Sequence, residues 1–304
     1  MDILNKKLNI SELMSETFIA FTKNFKAILG INFIYYLLIA LAYIPIALYY
    51  HIKLYSAMFN TYNIFYVFKD ILTNPLSLIL FLVFIFIYTF TWCLKAGTTV
   101  KYVHDKTINK ETTLKEAFKQ SLKRSPHLFL TLFVISLILA VIPFIIFFIA
   151  FNMGSSKFLF WGMTAAWVIT ALICVFISML VQVVVIKEKS FLGSIKYAKE
   201  LVSKNYLQTL GFLLMAAIAF IGFMIGTNII NYICMFVFVK IFNFFPYLDA
   251  IYIAIAVISG LVCIFFYMIP FAFSDIPLTI LYINREANKP KEEEKKEEKK
   301  EESK

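Results

Sequence analysis

Six stretches of this chain run for more than twenty residues each without an aspartate, glutamate, lysine or arginine: 27–52, 71–94, 125–156, 158–186, 205–239 and 250–274. A water-facing helical bundle needs charged outer faces on its helices, and these runs are apolar all round. In a bilayer the requirement reverses, because about 20 apolar residues of helix cover the roughly 30 Å of hydrocarbon. Backbone groups in lipid must pair within their own segment, which selects helix for such runs. The pattern predicts an all-α integral membrane protein with about six transmembrane helices, near 27–50, 75–96, 127–150, 158–186, 207–235 and 250–273. Several runs exceed the minimum, so tilt or kinks are expected. Composition agrees, with 61% hydrophobic residues and a mean hydropathy of +0.80.

Charge placement predicts orientation, because lysine-rich loops stay cytoplasmic. Of the 29 basic residues, all but Lys53, Lys69, Lys157 and Lys240 fall before the first span, between the second and third, between the fourth and fifth, or after the sixth. Both termini are therefore expected in the cytoplasm of a multi-pass protein. The net charge of +10 then reports topology and attraction to anionic lipid headgroups, and nucleic-acid binding is not implied. The first 26 residues lack the short apolar core of a removable signal peptide, so the first span is expected to act as a signal anchor. Cys93, Cys174, Cys234 and Cys263 all lie within spans without CxxC spacing, which favours packing over a disulfide or metal role. The predominance of Lys over Arg, with abundant Ile, Asn, Phe and Tyr, suggests an AT-rich genome and a bacterial plasma membrane.

A threefold internal recurrence organises the chain: a cytoplasmic amphipathic segment leads into each of three hydrophobic hairpins. In the first copy Ile10, Leu13, Met14, Thr17, Phe21 and Phe25 share a helical face opposite Ser11, Glu12, Ser15, Glu16 and Lys23. The second has capping-box spacing at Thr113 and Glu116, an apolar stripe of Leu114, Ala117, Phe118 and Leu122, and Pro126 marking a bend into the third span. The third places Phe191, Ile195, Ala198, Val202 and Tyr206 as in the first, and Lys204-Asn205-Tyr206 parallels Lys23-Asn24-Phe25. Such helices are expected to lie along the inner membrane surface. They serve either as elbows that place the hairpins or as an interface or lipid-facing collar at Phe21, Phe25, Phe118, Leu122, Val202 and Tyr206. Residues 1–287 read as one membrane domain, and 288–304 as a charged, disordered cytoplasmic tail with no apolar residue to bury beyond that point.

Chemistry-bearing signals within the spans are sparse. Pro45, Pro143 and Pro270 are expected to kink helices, and Gly222 with Gly226 forms GxxxG, read as close internal packing. Gln182, Asn228 and Asn231 are the most polar intramembrane side chains, either lining a path or bonding across helices. No ionisable group sits mid-span, whereas ion-coupled transporters usually hold one there. His51, His104 and His127 are scattered, and HExxH, GxSxG and phosphate-binding glycine patterns are missing. No catalytic residue, cofactor or metal is expected. Asp275, in the segment PFAFSDIPLTILYINRE, is a weak candidate beside the sixth span.

Two stretches carry a family likeness. Residues 186–211, with Glu188, Ser194, Leu201, Asn205 and the Leu210-Gly211 pair, resemble the segment after the fourth span in poorly characterised bacterial six-helix membrane proteins. Those proteins are related to the membrane domain attached to some glycerophosphodiester phosphodiesterases. The ending LYINRE resembles the family's closing pattern through Tyr282, Arg285 and Glu286, with Asn284 standing where the pattern has an acid. The family's phosphodiesterase barrel has no counterpart in this chain, so its activity does not transfer. The resemblance implies a six-helix membrane module.

The expectation is a non-enzymatic plasma-membrane protein that scaffolds, or assists lipid or envelope processes, with lipid and a membrane-protein partner. The alternatives are a transporter or channel for a lipid or small solute, and an intramembrane enzyme.

Overall fold

The computed structural model describes residues 2–4, 6–57, 73–153, 156–244, 258, 262 and 265–289. A 3-10 turn at Asp2–Leu4 precedes α1 (Ile10–Ala57), α2 (Pro75–Thr107), α3 (Leu114–Met153), α4 (Ser156–Phe176), α5 (Phe191–Ser203), α6 (Tyr206–Phe244) and α7 (Ile276–Ala287). Among the described residues there is no strand. Among the described residues six helices are long and apolar enough to cross a membrane: Ile10–Tyr43, Pro75–Thr107, Leu114–Ile146, Phe160–Lys187, Tyr206–Cys234 and Phe265–Ala287. The protein is an all-α, multi-pass membrane protein by this architecture.

Local sequence explains where the helices begin. The Asn9 side chain accepts from Glu12 N at 2.9 Å while Glu12 Oε2 accepts from Asn9 N at 2.8 Å, a reciprocal cap on α1. Asn74 caps α2 through Leu76 N, with Pro75 at the first helical position where its missing N–H costs nothing. The expected box before α3 forms, Thr113 N donating to Glu116 at 2.9 Å and Glu116 N to Thr113 Oγ1 at 3.2 Å.

The helices extend well beyond the expected spans. The first amphipathic segment continues directly into its span, giving 48 residues of unbroken helix. The second does the same through Pro126 and Pro143, both inside α3. Pro126 removes one hydrogen bond, that to the Leu122 carbonyl, but breaking the helix would strand several more backbone groups beside lipid. Only the third amphipathic segment, α5, is a separate helix. It is reached through an α-turn at Leu180–Gln182, a π-helical stretch at Val183–Lys187 and a left-handed Glu188 at φ 56°.

At the other end, the described part of the last apolar helix is Phe265–Ala287, and 61% of its apolar stretch is buried inside the protein; most of the expected span 250–273 before Phe265 lies outside the described residues. The segment expected to leave the membrane is therefore core: Ile280, Leu281 and Tyr282 are fully covered. The expected tail, apart from Asn288 and Lys289, lies outside the described residues, as do most of the connection 51–74 and Cys263.

One core joins these parts. Leu13, Phe21 and Ile28 of α1, Val100 and Val103 of α2, Val183–Val185, Val202 of α5, Phe212 of α6 and Phe273, Ile276, Ile280, Leu281, Tyr282 and Ile283 pack into a single hydrophobic cluster. Phe273 stands within 5.1–5.6 Å, ring to ring, of Phe18, Phe21 and Phe223. Gly97 permits α2 to approach α3, since a Cβ there would lie 2.4 Å from Ser121 Oγ. Gly222 and Gly226, expected at a close helix contact, meet nothing within 4 Å among the described residues.

Candidate functional site

The residues singled out for a polar path do not converge through hydrogen bonds. Gln182 is buried at the α-turn before the π-helical stretch, with its Oε1 unpartnered among the described residues. Asn228 lies on α6 about 33 Å beyond that helix's start at 1.5 Å per residue. It is exposed and accepts from Tyr267 Oη at 2.6 Å while donating to Met224 O. Asn231 is buried, and neither amide atom has a partner among the described residues. The collar residues divide. Phe21 and Val202 sit in the protein core, Phe25 and Tyr206 are half-buried against it, and Phe118 and Leu122 face outward at 41% and 45% exposure. Tyr206 also donates to the Leu172 carbonyl and stacks near Phe176 at 4.6 Å.

A different place carries more chemistry. Tyr35, Tyr36 and Ile39 of α1, Tyr88, Thr91, Trp92 and Lys95 of α2, and Phe271 with Ser274 just before α7 line a cavity of about 160 Å³. Lys95 reaches Asp275 Oδ2 at 3.0 Å and donates to the Phe271 carbonyl at 3.2 Å. The two side chains are only 6% and 12% exposed. Moving ions this far from water costs several kcal/mol each, and the pair offsets that only by holding good geometry.

The helix approaching Asp275 is interrupted by a turn there, just before Pro277, and the Phe271 carbonyl accepts from both Lys95 and the Ser274 hydroxyl. Lys95 supplies a charged donor to that helix end, where a cation is favoured. The cavity's outer wall is aromatic: Tyr88, Trp92 and Phe271 are 37–49% exposed, with Tyr36 and Phe271 6.0 Å apart. Tyr35 donates to Thr98 Oγ1 at 3.1 Å, because Thr98 already donates to the Leu94 carbonyl. An amphipathic wall around a fixed ion pair can hold a molecule that is apolar at one end and polar at the other. Its volume suits a fragment of that kind better than a drug-sized solute.

Sequence reading missed Lys95 by counting it with the topology-setting lysines. One signal was available: the small-residue run Ala96-Gly97-Thr98-Thr99 beside it predicts a tightly buried helix face, and all four are buried. Asp275 was visible as a residue but not as a partner of Lys95, 180 positions away.

A second polar assembly ties the chain ends together. Asn284 donates to the Ile3 and Lys6 carbonyls at 2.9 Å each and accepts from Leu8 N at 3.3 Å. Only an amide can do both, which gives this chain a physical reason for Asn at that position. Gln208 donates to the Leu8 carbonyl at 2.7 Å and accepts from Arg285 at 3.0 Å. Tyr197 donates to Glu286, which also pairs with Lys187. Arg124 pairs with Glu188.

Among the described residues no group of His, Cys, Asp and Glu side chains is arranged to hold a metal ion. Comparison with protein families, curated proteins and solved structures finds no match to this chain.

Proposed function

We propose that this protein is a non-enzymatic, lipid-engaging scaffold of the bacterial plasma membrane, with both termini cytoplasmic. The observation that carries the reading is the aromatic cavity over the Lys95–Asp275 pair, where α1, α2 and the segment before α7 meet. Tyr and Trp beside a charged pair match the boundary between acyl chain and headgroup. The amphipathic segments that open α1 and α3, and the separate α5, act as elbows that place three repeated hairpins, and kinship with the phosphodiesterase-associated membrane module belongs to the same proposal.

Mass spectrometry of the protein released from native-lipid nanodiscs tests it. Wild type is expected to retain a stoichiometric lipid that Trp92→Ala and Tyr88→Ala lose. Equal lipid retention by wild type and both variants removes the reading. Orientation has its own check, since Lys115→Cys should resist an impermeant maleimide applied to intact cells.

The transporter reading is favoured by one observation, the buried Asn231 amide, unpartnered among the described residues. Solute flux in liposomes that is abolished by replacing Gln182, Asn228 and Asn231 with Leu would put it first.

A further inference from the structure

Four segments converge at the cytoplasmic end of the core: the chain before α1, the end of α5, the start of α6 and the end of α7. Between them lies a cavity of about 80 Å³ lined by Lys7, Glu200, Lys204, Arg285 and Lys289 with Leu201, Asn205 and Asn288. Four of its eight lining residues are cations and one is an acid. Lys289 stands 3.7 Å from Glu200 and 4.4 Å from the Tyr197 ring centre, and Lys7 bonds to Asn205.

Arg285 is the informative member. It is 6% exposed, yet its hydrogen bond goes to the neutral Gln208 amide, and its Nε is buried without a partner among the described residues. A buried guanidinium normally faces a carboxylate, since an uncompensated ion in the interior is costly. Helix ends do not supply the missing charge. The carboxyl ends of α5 and α7 contribute about −0.5 each and the amino end of α6 about +0.5, a sum that falls short of the guanidinium's unit charge.

We propose that this cavity binds a phosphate group, with Arg285 as its buried anchor and Lys7 and Lys204 as its rim. A phosphate offers several acceptor oxygens and up to two negative charges, and the planar guanidinium fork suits it better than a point charge does. Two sources share this chemistry, a soluble phosphate and the headgroup of a phosphatidic-acid-type lipid. The site is separate from the Lys95 cavity, so it stands or falls independently of the proposed lipid scaffold.

The test uses the full chain in phosphatidylcholine nanodiscs. One arm titrates inorganic phosphate by calorimetry; the other replaces part of the lipid with phosphatidic acid and reads the unfolding temperature. Arg285→Gln is the direct variant. Because it alters a buried contact, Lys7→Gln and Lys204→Gln serve as rim variants, with Lys110→Gln as the remote control. Phosphate binding weakened roughly tenfold in each rim variant, and unchanged in the control, supports a soluble ligand. Stabilisation by phosphatidic acid alone, with the same dependence on Lys7 and Lys204, supports a lipid headgroup. No response in either arm, or a response indifferent to the rim variants, overturns the proposal.

Discussion

Two parts of this molecule are built for different solvents. Around α7 nearly every side chain from Ile276 to Arg285 is buried, polar atoms bond across hundreds of positions, and aromatic rings close on Phe273. Along α3 only 12% of the apolar stretch is buried, and Phe133, Leu137, Phe144 and Phe148 point outward at 49–68% exposure. The first part follows the rules of a soluble core, where packing against other side chains removes apolar surface from water. The second has no need of such packing, because lipid tails are as apolar as leucine and helix association there gains little from burial. High hydropathy thus marks the lipid-facing surface, whereas the packed core is more mixed in composition.

The largest expected contrast comes from truncating one phenylalanine in each part. Phe273→Ala should cost about 3–5 kcal/mol in unfolding measured by steric trapping, while Phe144→Ala should stay within about 0.5 kcal/mol. Equal effects would erase the distinction between the two regions. Nearly as large is the effect of separating the buried pair: Lys95→Met should cost about 3–5 kcal/mol by leaving Asp275 without its cation. Adding Asp275→Leu should recover most of that loss, and a double variant no better than the single would show that the pair does not act as a unit.

Smaller effects sharpen the boundary. Asn284→Asp should lose about 1–3 kcal/mol, since a carboxylate cannot donate to the Ile3 and Lys6 carbonyls; an unchanged unfolding profile would mean that the amino-terminal strap contributes nothing. Gly97→Ala, which presses on Ser121, should cost about 1–3 kcal/mol. Gly222→Ala belongs at the bottom of the scale, within about 0.5 kcal/mol, because no described residue lies within 4 Å of a Cβ placed there. A large loss there would point to a contact made by residues outside the described ones or by a second chain.

Much of this was legible in the residues. The membrane class and the count of six apolar helices follow from the uncharged runs alone. The capping box at Thr113 and Glu116 was equally plain, since caps are local. The helix ends were harder: α1 and α3 run through their amphipathic segments, because a polar face does not stop a helix when nothing forces a break. The site was mostly hidden. Gln182, Asn228 and Asn231 were conspicuous as polar residues in apolar sequence, yet the structure joins them by no hydrogen bond, and the ion pair that does form draws on a lysine assigned to topology.

The amino-acid order by itself determined the solvent of this protein, since transfer of uncharged helices into hydrocarbon is additive along the chain and needs no knowledge of neighbours. Only the tertiary structure decided which charges are internal. Lys95 finds Asp275, Asn284 finds the first residues of the chain, and Arg285 faces a cavity, because long-range pairing depends on how helices cross. That crossing is set by side-chain shape at contacts such as Gly97 against Ser121, and no periodicity in the sequence encodes it.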